Sequence, residues 1–359
     1  MQIEVVPAKS LSNEQVQLWT EIQRANPALD SPYCHPGFTA AMAELRNNVY
    51  VGLLREGGEV VGFFPFEKVL RRMGRPVGGR VSDFQAVITR PEIRWSARDL
   101  IAGCGLSVWD FDRLSGTQQE FAEFCCQSYQ VAQVDLCNGF EHYAAEKHRD
   151  GSGIVRQTER KRRKLAREMG DVELLADVVD TRMLRQLMAW KSRQYRRTDV
   201  TDVFAVSWTR DLLERLLMTG HNELRGVLSV LLVGGRPAAF HFGLRSRSVL
   251  HCWFPVYDEQ LSVYSPGAIL FMAMIRSCPE MGVQRLDLGG VSHWKARLMN
   301  RTATICEGSV DLRPVASKLR NVARASHQWL RNSPLRKPAR VPWRAVYHFK
   351  EWLAYRWMT

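Results

Sequence analysis

Two stretches of the chain carry the same alternation of apolar and polar positions. "LLREGGEVVGFFPF" (53–66) and "LLVGGRPAAFHFGL" (231–244) each read as an apolar strand, a Gly-Gly turn and a second strand rich in Val, Ala and Phe. A Gly-Gly pair between two apolar runs is a hairpin signal, because both turn positions need the left-handed backbone that glycine adopts readily. Superimposing Gly57-Gly58 on Gly234-Gly235 gives an offset of 177 residues, close to half the chain, and sets His241 against Phe64.

Helical periodicity precedes each hairpin. "SNEQVQLWTEIQRA" offers Val16, Trp19 and Ile22 at helical spacing behind a Ser12 cap, and "HPGFTAAMAELR" predicts a second helix. In the other half "TRMLRQLMAWKSRQYRR" and "SWTRDLLERLLMTG" take the same places, the latter with Ser207 as cap and Gly220 as stop. After the second hairpin come a strand in "SVLHCWFPVYD", an apolar helix from Ser265 and a strand in "VQRLDLGG". Two helices, an antiparallel meander, a helix and a strand predict an α+β fold of mixed α/β layers, with helices covering a central sheet. The polar, Gly-rich "AAEKHRDGSG" places a boundary near residue 150, giving units 1–150, 151–310 and 311–359.

Composition narrows the classes. At 359 residues, 45% hydrophobic and 24% charged, the chain is globular and long enough for two cores. The eight cysteines show no CxxC pair and no zinc spacing, so they read as reduced thiols and no metal is expected. No secretory pattern opens the chain, and no apolar run approaches the roughly 20 residues that span a bilayer. A cytoplasmic protein is expected.

The net charge of +13 is concentrated at one end: residues 311–359 hold eleven Lys and Arg against Asp311 and Glu351, nine of the thirteen net charges. With Trp329, Trp343, Tyr347, Trp352 and Trp357 among them, this tail suits peripheral contact with an anionic membrane at its inner face. A docked helix with a solvated basic face is the alternative. A second basic cluster, 160–167, reads as a solvated helix with only Leu165 to bury, and a nucleic-acid partner is disfavoured.

The helix start at Ser265-Pro266-Gly267 carries the first chemical signal. Ser265 suits the N-cap and Pro266 the first helical position, and Gly267 leaves the backbone bare. The amides of Gly267, Ala268 and Ile269 are then expected to face outward at the positive end of the helix dipole, as a phosphate site. Its place after one strand and before another ending in Gly289-Gly290 is where open sheets hold ligands.

Here the run from Val256 to Arg297 resembles the end of the acetyltransferase domain in the GNAT-like group typified by CelD-type proteins of bacterial cellulose and exopolysaccharide biosynthesis. Tyr257-Asp258, Ser265-Pro266-Gly267, Gly282, Asp287, Gly289 and Lys295 carry the likeness, which covers roughly 155–308. Fem-type transferases related to that group hold two GNAT-like halves, in keeping with the hairpin repeat. The resemblance implies tandem GNAT-like domains, each a central, mostly antiparallel sheet covered by helices. It further implies acetyl-CoA or another acyl-CoA as co-substrate, with pantetheine along a splayed strand and pyrophosphate on Ser265–Ala268. The first copy shows no comparable capped apolar helix start and is expected to be degenerate.

A thioester is already activated, so the protein must position an acceptor, take its proton and polarise the carbonyl. His241 is the first base candidate, since it stands where the other copy has Phe64; a core histidine is the alternative, and His251 on the facing strand is second choice. Asp258 would orient the acceptor and Tyr264 protonate the departing thiolate. Asp287 and Lys295 match the family without an assigned role. Trp294 stands where a tyrosine is expected and supplies packing but no proton.

The expected activity is acyl transfer from acyl-CoA to the amine or hydroxyl of a polysaccharide or cell-envelope sugar precursor. A non-catalytic, membrane-associated accessory protein of a polysaccharide synthase and a Fem-like protein using aminoacyl-tRNA are the competing readings.

Overall fold

A computed structural model describes residues 1–219 and 223–314. The tail beyond 314 and the expected helix stop at Gly220 lie outside the described residues.

The first half runs β1 (Gln2–Pro7), α1 (Asn13–Ala25), α2 (Pro36–Leu45), β2 (Val49–Glu56), β3 (Glu59–Leu70), β4 (Met73–Arg75), β5 (Ile88–Thr89), α3 (Ala97–Gly103), β6 (Val108–Ser115) and β7 (Cys125–Asp135). Helix α4 (Gly139–Arg149) leads to α5 (Ile154–Met169), β8 (Val172–Leu175), α6 (Thr181–Arg197), α7 (Ser207–Thr219), β9 (Leu224–Val233) and β10 (Arg236–Ser246). Then come β11 (Val249–Tyr257), α8 (Pro266–Ser277), β12 (Arg285–Gly290), α9 (His293–Leu298) and β13 (Arg301–Asp311). The predicted helices form where expected, and α1 starts with a capping box between Ser12 and Gln15.

The repeat extends to individual pairs. Gly52 faces Phe64 in the first hairpin and Ser229 faces His241 in the second, at the same 177-residue offset. Both hairpins also carry a bulge at the matching place: pairing steps from Leu54/Gly62 to Arg55/Val60, and from Leu231/Ala239 to Leu232/Pro237. A bulge adds one residue to one strand and sharpens its twist, so a shared bulge bends both hairpins alike. Gly57, Gly58, Gly234 and Gly235 all have positive φ, as a tight two-residue hairpin turn demands.

All the strands join one sheet in the order β1-β2-β3-β4-β6-β13-β7-β12-β11-β10-β9-β8, with β5 on β3. Pairing is antiparallel except β4·β6 and β11·β12 (and one Gln85–Leu114 bridge), the two places where a helix crosses over. The last strand of each half is exchanged. β7, from before residue 150, pairs with β12, and β13, from the end of the second half, lies between β6 and β7. One face of the sheet carries a core common to both halves, in which Trp19, Ile22 and Phe63 pack with Leu187, Leu212, Phe240 and Trp253. The other face is divided: α3 covers Phe64, Phe66 and Trp109 in the first half, and α5 and α8 cover Ala239, Leu250 and Leu286 in the second.

One local expectation is corrected. The first half does have a capped helix at the place of α8, since Ser96 Oγ accepts from Asp99 N at the start of α3. It is one of seven residues, and Asp99 in its first turn would repel an anion. Within the basic stretch 160–167 only Leu165 is buried, as expected; Ile154 and Thr158, earlier in α5, complete its buried stripe, and α5 packs on α8. All eight cysteines are free, and Cys34, Cys104, Cys252, Cys278 and Cys306 fill the core.

Candidate functional site

The second half opens a fork in the sheet. β11 and β12 pair in parallel through Val249/Arg285, Leu250/Leu286 and His251/Asp287. Beyond that pair β11 continues on β10 as far as Tyr257, while β12 bulges at Gly289, with φ 72°, and leans on β7. A free length of strand edge is left between them.

Helix α8 begins above this edge with bare backbone, though not as the sequence suggests. Ser265 adopts a left-handed conformation with φ 58° and ψ 56°, and its hydroxyl caps nothing. Its Oγ instead accepts a 2.6 Å bond from Lys161 Nζ on α5. Its carbonyl accepts from the amides of Ala268 and Ile269, at 3.0 and 3.2 Å, so these two amides do not face outward. Pro266 has no N–H and is buried with Ile269, leaving the Gly267 amide without a partner among the described residues. A Cβ on Gly267 would stand 3.3 Å from Tyr257 Cδ1, so the helix start and the end of β11 approach closely, and a side chain there needs the Tyr257 ring to shift by a few tenths of an ångström.

A cavity of about 510 Å³ opens at this point between α5, α6, the end of β11, α8 and α9. Ser265, Gly267 and Ala268 line it with four cations, Lys161, Lys191, Lys295 and Arg297, and no carboxylate. Such a lining suits a polyanionic ligand. Phe271 and Trp294 meet edge to face at 5.0 Å and supply an apolar wall. Lys161 was passed over in the sequence, yet Ile154, Thr158, Lys161 and Leu165 follow one helical stripe; a lysine in the buried stripe of α5 was the available signal. Lys191 donates to Gln194 Oε1 and to the Pro255 carbonyl of β11, both at 2.9 Å. Burial, and then the charge of Lys295, lower its pKa to about 8.

A charged cluster stands at the crotch of the fork. His251 is 1% exposed, and its Nε2 lies 2.9 Å from Asp83 Oδ2. Its Nδ1 is 3.8 Å from Asp287 Oδ1, which accepts from Gly289 N at 2.9 Å. Arg113 Nε sits 3.1 Å from the other oxygen of Asp83. Burial opposes a charged imidazole, but the bonds and charges of Asp287 and Asp83 outweigh it and raise the His251 pKa to about 9. Burial likewise opposes both carboxylates, and His251 chiefly overrides it, holding them below their ordinary range. Lys295 shares this neighbourhood, and burial lowers its pKa.

His251, Asp287 and Lys295 are therefore brought together, joined by Asp83, Arg113 and Tyr33 from the first half, which no local pattern marks. His241 is not part of the group. Its side chain is fully buried, both ring nitrogens lack a partner among the described residues, and it meets the Phe271 ring edge-on at 5.6 Å. Burial lowers its pKa to about 3, below the near-neutral value expected of it. Asp258 and Tyr264 also stand apart from the cavity lining. The Asp258 carboxylate caps a short turn at Gln260 N, and Tyr264 donates its hydroxyl to Glu168 Oε2 at 2.8 Å, a bond that raises its pKa. Among the described residues no group of His, Cys, Asp and Glu could hold a metal ion.

Residues 154–296 match the family model of the acetyltransferase (GNAT) domain. Three solved structures share the fold over nearly their whole length. The C-terminal domain (DUF2156) of a proposed lysylphosphatidylglycerol synthetase from Agrobacterium fabrum is 14% identical with a TM-score of 0.51, covering 86% of this chain and 96% of its own. A tandem GNAT protein from the clavulanic acid biosynthesis pathway is 12% identical with a TM-score of 0.50, covering 87% and 99%. FemX is 10% identical with a TM-score of 0.55, covering 88% and 99%. No curated protein matches the chain. The fold is that of tandem GNAT domains, and the GNAT domain in the second half makes the chain an acyltransferase.

Proposed function

We propose that the chain transfers an acyl group, acetyl in the first instance, from coenzyme A to an amine or hydroxyl of a cell-envelope sugar or polysaccharide precursor. The observation that carries the donor is the cation-lined cavity at the bare start of α8, beside the opened edge of β11. In this reading Lys161, Arg297 and the Gly267 amide hold the phosphates, β11 takes the pantetheine, and the acyl carbon lies toward His251 and Asp287. The description of the matched domain as an acetyltransferase supports acetyl as the group. The sugar acceptor rests on the sequence resemblance to the CelD type and is the part most open to an acceptor screen. Membrane contact through residues 311–359 belongs to the same proposal, tested by vesicle binding of the full chain and of a chain ending at 314.

The donor is tested by calorimetry of acetyl-CoA and desulfo-CoA with the wild type and Gly267→Asp, which sets a carboxylate where the pyrophosphate is expected. Micromolar to sub-millimolar binding by the wild type, abolished in a folded variant, supports the reading. Absence of binding to the wild type refutes it.

A further inference from the structure

The first half has the outline of the same fork, but its own chain fills it. β4 and β5 lie on β3 at the two ends of the span that β11 covers on β10, with Lys68 facing Gly74 and Phe63 facing Ile88. Between them, residues 76–87 leave β3 and cross to the edge of β6. There the Gln85 amide donates to Arg113 O at 3.0 Å, and Gln85 O accepts from Ser115 N at 2.9 Å. The Gln85 side chain adds a 2.7 Å bond to Asp112 Oδ1. Fully buried Glu67 ties down the start of the excursion by accepting from Gly78 N at 2.8 Å and Arg75 Nε at 2.9 Å. Trp109, Phe111 and Phe121 belong to the core behind this segment, which occupies the edge of β6.

The filling segment ends in the other half's chemistry. Asp83 leaves it toward β11, its side chain about one-fifth exposed, and bonds His251 at 2.9 Å. We propose that this segment makes the first half a working part of the transfer, with Asp83 as the positioning residue that fixes His251 at the fork of the second half. The inference rests on the acyltransferase reading above.

Two further observations favour it over a purely structural ion pair. The His251 Nδ1 stands 3.8 Å from Asp287 Oδ1, longer than a direct hydrogen bond, and the Tyr33 ring meets the imidazole edge-on at 5.0 Å. The titratable groups around His251 come from both halves: Asp83 and Asp287 act on it directly, Arg113 and Lys295 act on Asp83, and the neutral ring of His241 lies on β10. In the transfer, the acceptor's nitrogen or oxygen bonds to the thioester carbon and the carbon–sulfur bond breaks. The acceptor's proton ends on the leaving thiolate, passing through the neutral form of His251, which Asp83 and Asp287 hold in place.

The test compares the full-length wild type, Asp83→Asn and Asp83→Glu. Ring-nitrogen NMR of ligand-free protein follows the titration of His251. Calorimetry gives the acetyl-CoA affinity, and thiol release with hydroxylamine as a surrogate acceptor gives the rate. Asp83→Asn is expected to keep acetyl-CoA affinity within about twofold, to lower kcat by about a hundredfold and to move the His251 titration to lower pH; Asp83→Glu restores both in part. An Asn variant with the wild-type titration and pH–rate profile overturns the proposal. A wild type that binds no acetyl-CoA defeats the donor reading instead, and the NMR titration then decides the Asp83–His251 coupling by itself.

Discussion

Asp83 and His251 are 168 positions apart in the chain and 2.9 Å apart in space, and the bond between them crosses from one half of the molecule to the other. Asp287 lies on the far side of the imidazole, so one histidine is held between two carboxylates. Its charge is therefore a property of the tertiary fold.

That arrangement fixes the sign of a pH effect on stability. The His251 pKa is raised to about 9, above the value of about 6.5 usual for a free histidine, so its contribution is full below pH 6.5 and is lost as pH rises through 9. A shift of that size corresponds to at most about 3 kcal/mol. Thermal unfolding across pH 6 to 10 should show stability falling over this window in the wild type and a flatter curve in Asp83→Asn. Equal slopes for the two proteins would contradict the coupling.

His241→Phe reproduces the residue that the first half carries at the matching pair. It removes two buried nitrogens without partners, each of which can cost about 1–3 kcal/mol. Part of that gain will be offset by the larger ring, since His241 Cε1 already lies 2.6 Å from where a Cβ on Gly243 would stand. Unchanged acetyl-CoA affinity, kcat within about threefold and an equal or higher Tm are expected. A loss of about a hundredfold in kcat at unchanged Tm would return the base to His241.

Lys161→Met keeps the apolar stem in the buried stripe of α5 and removes the ammonium that reaches Ser265. A charge-assisted bond is worth about 1.5–3 kcal/mol, so acetyl-CoA should bind about 10- to 100-fold more weakly, with a shallower salt dependence. Calorimetry at two ionic strengths measures both. Equal affinity in the variant would place the phosphates elsewhere.

Burial brings Lys191 close to neutrality, with a pKa of about 8 in a cavity lined by three other cations. An anionic donor favours its charged form, so binding should take up a proton near pH 8 and weaken as pH rises further. Calorimetry in buffers of different ionisation enthalpy reads this uptake, and Lys191→Met should abolish it. Identical heats in all buffers would exclude Lys191 from the donor site.

The exchange of β7 and β13 leads to a prediction about fragments. A chain ending at 150 lacks β13, and one starting at 151 lacks β7, so each exposes an unpaired strand edge prone to association. Separately expressed pieces should aggregate or remain partly folded, and together they should refold into a complex with the circular dichroism of the intact chain. Independent, cooperative melting of either piece would contradict this.

Much of the framework is legible in the sequence. Helix caps such as Ser12, the two Gly-Gly turns and the helix opening at Pro266 are set by residues within a few positions of one another. Local dihedral preferences and a period of 2 or 3.6 leave such signals in the chain itself. The 177-residue repeat was visible for the same reason, and the hairpin registers follow from it. The site was less legible. Ser265 looked like a cap, but its hydroxyl is taken by a lysine 104 positions upstream, and its backbone turns left-handed.

His241 and His251 show where the division lies. In sequence both are single histidines in apolar strands, one residue in each strand of one hairpin. The sequence by itself determined the strands, the crossover helix and the resemblance, because these depend on near neighbours and pattern. Only the tertiary structure decided which histidine meets carboxylates and which is sealed among apolar groups, because charge and hydrogen bonding at a buried ring depend on residues that chain separation does not reveal. Asp83 arrives there because the first half fills its own fork, and that placement exists only once both halves share one sheet.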